Sequence, residues 1–190
     1  MNHLSNSCLD NHRCFRVLLQ AMSRPGQIFK LADSTSDEFE TSLLRLLDAV
    51  LDQQSTCHLI DDNPELQDKI KELTSTRFST VEAADFILAQ SGSSRGKTIL
   101  AKRGRLDFPD EGATIIFGVD QLMDGGAAAG CKLTGPGIKN AIYPHIIGLN
   151  GDELSQLKAV NGEFPLGVDS IFLDRSGQVM CIPRSTRIGG

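Results

Sequence analysis

Residues Ser91–Thr98, in the order SGSSRGKT, follow an apolar run and end in Gly-Lys-Thr. A phosphate-binding loop reads Gly-x-x-x-x-Gly-Lys-[Ser/Thr], because its backbone N–H groups wrap the phosphates while the Lys reaches the outer ones. Ser91 stands where the first glycine belongs and Gly92 comes one place late, so the pattern is a near miss. Gly104 and Pro109 follow closely and leave little room for a helix whose N-terminal dipole would face the phosphate. The runs CHLID (57–61), IIFGVD (115–120) and SIFLD (170–174) could each offer an acid to magnesium, but such runs occur in most α/β chains. An ATP-hydrolysing enzyme using Lys97 and Thr98 is one reading; an ordinary polar loop is the simpler one.

Other residues carry weaker signals. Cys8, His12 and Cys14, with Cys57 and His58, have the chemistry to ligate zinc. On a helix, though, Cys14 lies about 200° round from His12, so a site would need the segment to uncoil. Ser94 and Lys97 have a Ser-x-x-Lys spacing without the rest of a serine acyltransferase set. His145 could serve as a general base but has no visible orienting partner. Arg95, Lys97, Lys102, Arg103 and Arg105 could gather a phosphate or form a solvated basic face. Arg16, Arg24, Arg184 and Arg187 sit at element ends; guanidinium groups there suit phosphate oxygens and protein interfaces equally.

The elements that must position these groups are legible in outline. A 190-residue chain with 40% hydrophobic and 23% charged residues can bury one core, and no linker divides it, so a single domain over 1–190 is expected. A net charge of -5 disfavours nucleic acid. The N-terminus lacks a signal-peptide core, no stretch is long enough for a membrane span, and five unpatterned cysteines suit a reducing compartment; a cytoplasmic protein is expected.

Phe15, Leu18, Leu19 and Met22 predict a helix over 11–22, ended by Ser23-Arg24-Pro25-Gly26. A short extended piece, QIFKL, should follow. Thr35 and Glu38 have capping-box spacing before the apolar face Phe39, Leu43, Leu46, Leu47, Val50 and Leu51. STCHLI reads as a strand, and Asn63-Pro64-Glu65 starts a helix that buries Leu66, Ile70 and Leu73. ADFILA, GATIIFGV and CKLT are further strands. Asn150 and Glu153 could cap a helix carrying Leu154, Leu157 and Val160, and VDSIFLDRSGQVMCIPR reads as a hairpin turning at Arg175-Ser176-Gly177. The whole is an α/β chain with helices packed around a mixed β-sheet.

Three stretches, FRVLLQAMSRPGQI (15–28), CKLTGPGIKN (131–140) and FPLGVDSIFLDRSGQVMCIPRST (164–186), resemble the PhnH family of the bacterial carbon-phosphorus lyase system. The resemblance spans nearly the whole chain. It implies a reduced version of the pyridoxal-phosphate-dependent transferase fold without that cofactor, and Lys97, Lys132 and Lys139 are unsupported as Schiff-base residues. It also implies a homodimer joined to PhnG, PhnI and PhnJ subunits, with ATP as a substrate of the assembly from which a phosphonate displaces adenine. No cofactor is expected on this chain, and no catalytic residue is supplied by the family. The matching polar residues Arg24, Thr134, Asp169, Arg184 and Thr186 form a candidate surface for anion or partner binding. Pro25, Gly26, Gly135, Gly137, Pro165, Gly167 and Pro183 are read as fixing turns and strand ends.

Overall fold

Apolar runs of four to six residues, too short for helices and rich in Ile, Val and Phe, make the centre of the molecule. The computed structural model describes residues 3–31 and 39–189, with side chains from residue 10 onward except that of 128. In chain order the elements are α1 (His3–Ser23), β1 (Phe29–Lys30), α2 (Phe39–Val50), β2 (Thr56–Leu59), α3 (Pro64–Thr74), β3 (Arg77–Phe78) and β4 (Phe86–Ala89). They continue with β5 (Thr114–Val119), β6 (Gln121–Asp124), α4 (Gly126–Ala129), β7 (Lys132–Thr134), β8 (Pro144–Ile147), α5 (Glu153–Val160), β9 (Asp169–Asp174), β10 (Gln178–Ile182) and β11 (Arg187–Gly189).

Seven strands form one sheet in the order β1-β10-β9-β5-β4-β2-β3. The five from β9 to β3 run parallel and the hairpin β9–β10 with β1 adds antiparallel pairs, so the sheet is mixed as expected. Both faces are covered, which is why the inner strands read as continuous apolar runs. On one face Ile116, Ile171, Leu173, Val179 and Cys181 meet α1, α2 and α3 through Cys14, Leu18, Leu43, Leu46, Leu47 and Ile70. On the other, Ile115, Phe117, Phe172, Met180 and Ile182 meet Leu157 and Val160 of α5 together with Leu133 and Ile188. Two small antiparallel sheets, β6–β8 and β7–β11, complete this second layer. Phe117 and Phe172 stack at 5.3 Å between centroids in its middle.

Several boundaries differ from expectation. α1 begins at His3, well before residue 11, and its buried stripe is Cys14, Leu18 and Ala21. Phe15 and Leu19 are 45% and 54% exposed. Two stripes one residue apart satisfy the same helical period, and contact with α2 and β10 selects between them. In α3, Asn63 caps as expected, its Oδ1 accepting from the Leu66 N–H at 3.1 Å. Leu73 is exposed, however, and Thr74 takes the buried position by donating to the Ile70 carbonyl at 2.8 Å. The Thr35–Glu38 capping box lies outside the described residues. The hairpin turn is held by Asp174, whose Oδ1 accepts from the Ser176 and Gln178 N–H groups at 2.9 Å each. Among the described residues no helix is long and apolar enough to cross a membrane.

Candidate functional site

The three similar stretches, far apart in sequence, meet in space. The Ser23–Gly26 turn ends α1, and the Gly26 N–H donates to the Cys181 carbonyl of β10 at 3.0 Å. Gly137 lies against the same turn with φ +80°; a Cβ there would sit 2.5 Å from the Ser23 carbonyl oxygen and 2.8 Å from Pro25 Cδ. Only glycine satisfies both the backbone angle and that approach.

The β9–β10 hairpin brings Asp169 beside Arg184. Arg184 Nη2 lies 2.6 Å from Asp169 Oδ2, its Nε 3.2 Å from both carboxyl oxygens, and its backbone N–H donates to Oδ1 at 2.8 Å. The guanidinium also donates to the carbonyls of Pro109 and Gly112. With side chains only 13% and 23% exposed, this pair is a brace between the hairpin and the 109–112 loop. Burial, and then the Asp169 charge, push the neighbouring Cys181 thiol well above its usual range.

Beyond the brace a cleft of about 740 Å³ runs along residues 184–188. Gly135 and Pro136 form one wall; Lys158, Asn161, Gly162 and Phe164 form the other. Lys158 and Arg187 are exposed and have no carboxylate partner among the described residues. Thr186 is 4% exposed, and its Oγ1 has no hydrogen-bond partner there. Among the described residues no carboxyl, imidazole or thiol side chain lines the cleft. Its cations and hydroxyl suit the binding of an anion or another polar group.

The SGSSRGKT loop does something else. Ser94 donates its backbone N–H to Glu153 Oε1 at 2.6 Å, its Oγ lies 2.8 and 2.9 Å from the two carboxyl oxygens, and Thr98 Oγ1 lies 3.0 Å from Oε2. Glu153 is 1% exposed. Loop donors that a nucleotide loop would aim at phosphate are therefore spent on a carboxyl group of α5. Gly92 is tied in as well: its φ is +67°, and a Cβ would sit 2.0 Å from the Gly148 carbonyl oxygen. A single 3-10 turn, Lys97–Leu100, follows in place of a helix. This corrects the nucleotide-loop alternative built on Lys97 and Thr98. It also corrects the capping expectation: Glu153 turns inward, and Asn150 Oδ1 accepts from the Asp152 N–H at 3.1 Å instead.

The basic run is likewise internally committed. Arg95 pairs with Asp61 at 2.5 Å, Lys102 with Asp85, Arg103 with Glu163 at 3.7 Å and Arg105 with Glu111 at 2.8 Å. Lys97 alone of the five has no carboxylate within salt-bridge distance among the described residues. The zinc candidates are described only in part. Among the described residues no three of His, Cys, Asp and Glu gather for a metal. Cys14 is a core residue whose thiol donates to the Arg45 carbonyl at 3.7 Å, and the Cys8 side chain lies outside the described set. Burial pushes Cys14 up to about 11 and Cys57 up to about 12. His145 borders a hollow of about 210 Å³ with Cys131.

The family model for PhnH, described as a bacterial phosphonate metabolism protein, matches residues 2–189. The chain belongs to the PhnH family. It is also 33% identical over 174 residues, 92% of this chain and 83% of the other, to a protein of Stutzerimonas stutzeri described as a putative C-P lyase subunit protein HtxG.

The five polar residues singled out by the PhnH resemblance do not form one constellation. Arg184 and Thr186 line the cleft, and Asp169 holds Arg184 from behind. Thr134 sits on β7 opposite Arg187 of β11. Arg24 is exposed on the turn against which Gly137 packs. Lys158 and Phe164 were not foreseen. A lysine in the last helical turn and a phenylalanine before proline carry no spacing that marks them.

Proposed function

We propose that this PhnH-family chain is a subunit of the carbon-phosphorus lyase core complex in phosphonate breakdown. Its step is the transfer of the ribose triphosphate moiety of ATP to a phosphonate, with adenine displaced. The chain is structural rather than independently catalytic, works in the cytoplasm as a homodimer, and joins PhnG, PhnI and PhnJ subunits. The observation that carries this reading is the family match over residues 2–189, together with a cleft whose described lining offers cations and a hydroxyl. The fold is read as a reduced pyridoxal-phosphate transferase fold without cofactor. Lys132 and Lys139 are exposed, which suits neither for the sheltered pocket a Schiff base needs.

The test is co-expression of the tagged chain with the neighbouring subunits, followed by an assay of adenine release from ATP and methylphosphonate. The expected result is a complex whose activity disappears when this chain is omitted and no turnover by the chain alone. A chain that stays alone, and whose omission leaves activity intact, would overturn the reading.

A further inference from the structure

Among the described residues β11 pairs with β7 alone, and no strand lies on its other edge. Leu133 of β7 exchanges both backbone hydrogen bonds with Ile142, at 2.9 and 3.2 Å, so its N–H and C=O point away from β11. Facing residues of an antiparallel pair alternate between bonded and non-bonded. Leu133 and Ile188, which face each other, are therefore a non-bonded pair, and Ile188 turns its N–H and C=O to the edge opposite β7. Neither group has a partner among the described residues. Two residues back along the chain, the buried Thr186 Oγ1 is also unpartnered. Unpaired polar groups of this kind are costly unless something polar reaches them.

They border the 740 Å³ cleft. Its rim carries the cations Lys158 and Arg187, which have no carboxylate partner among the described residues, and Phe164, 67% exposed, offers an apolar contact. The contrast with the 95–105 run, where four of five cations already hold carboxylates, marks these two as available. A free anion would answer the cations and leave the Ile188 edge open. An extended acidic chain answers both, with main-chain bonds for affinity and side-chain contacts for specificity.

We propose that an extended acidic segment of a partner subunit adds as a strand to the open edge of β11. Its backbone pairs with Ile188, its carboxylates meet Lys158 and Arg187, and an apolar side chain rests on Phe164. The proposal rests on the subunit reading above.

The test co-expresses tagged partner subunits with the wild-type chain or with the Lys158→Glu, Arg187→Glu double variant. Hydrogen exchange of the Ile188 N–H, the amide that faces the outer edge, is followed in the isolated chain and in the complex. The expected result is a loss of co-purification of at least about tenfold in the variant at unchanged melting temperature, with exchange of the Ile188 N–H slowed in the wild-type complex. Wild-type yield from the variant would overturn the proposal while leaving the subunit reading intact. Protection of the Ile188 N–H already in the isolated chain would assign the edge to a second copy. Protection by ATP or methylphosphonate alone would assign the cleft to a free anion, and either result overturns the partner strand. Failure of the wild-type chain to co-purify would overturn both readings.

Discussion

The two ends of α5 face opposite situations. At its N-terminal end Glu153 is sealed inside the SGSSRGKT loop, with the Ser94 and Thr98 hydroxyls and the Ser94 N–H turned onto its carboxyl group. At its C-terminal end Lys158 and Asn161 border an open cleft whose hydroxyl and strand edge have no partner among the described residues. The difference follows from valence rather than from motif. A group whose donors and acceptors are matched internally has nothing left for a ligand, however suggestive its sequence. The helix ends suit this division: a carboxyl at the N-terminus and a lysine in the last turn both complement the helix dipole.

The closed end should break most severely. Glu153→Ala removes the common acceptor of three donors and leaves them buried, at a cost of roughly 3–5 kcal/mol. In a chain of this size that is a fall in melting temperature of roughly 10 °C. Glu153→Gln should cost less, since one acceptor oxygen survives. Thermal melting of both variants checks the order, and a Glu153→Ala protein as stable as wild type would show that the loop is not sealed by this residue.

Arg184→Ala comes next, because it frees Asp169 and the carbonyls of Pro109 and Gly112 together. With the pair largely sheltered, a loss of about 2–3 kcal/mol is expected. Chemical unfolding measures it. The cleft should lose affinity for its partner as well, since Arg184 forms part of its lining. A stable variant with intact complex assembly would mean that the brace does not shape the open end.

How much of this was legible depends on where the information sits. Strands β2, β4, β5, β9 and β10, the Asn63 cap and the final hairpin are local patterns, and they appear where periodicity and turn residues put them. The direction of Glu153 is not local. A glutamate at the first turn of a helix reads as a cap, and only the loop 59 residues earlier tells it to turn inward. β11 was hidden for a similar reason: Arg187–Gly189 is a strand because β7 lies beside it. The five polar residues were located by resemblance, which marks positions without saying whether a group is spent, like Arg184, or open, like Thr186.

A smaller effect tests the face of the sheet away from α5. Burial raises Cys14 to about 11 and Cys57 to about 12. The folded state therefore holds these protons more tightly than the unfolded chain, whose thiols titrate near 9. The stability this gives is complete below about pH 9 and is lost as pH rises toward 12. Melting temperature should decline over that window, and less steeply in Cys57→Ala than in wild type. Equal slopes would mean that the thiol is not sequestered under the helices.

Lys97→Ala should do least of all. Its ammonium has no carboxylate in salt-bridge range among the described residues, and the loop beside it is filled by Glu153, so a stability change within about 0.5 kcal/mol is expected. Adenine release by the assembled complex should also be unchanged. The comparison between the two ends of α5 is sharpest here, because Lys97 belongs to the most suggestive motif in the chain while Lys158 belongs to none. If Lys97→Ala abolished ATP turnover while Lys158→Glu with Arg187→Glu did nothing, the loop would have to open and release Glu153 to bind phosphate. The sealed end would then be the working one, and internal matching of donors would describe only a resting state.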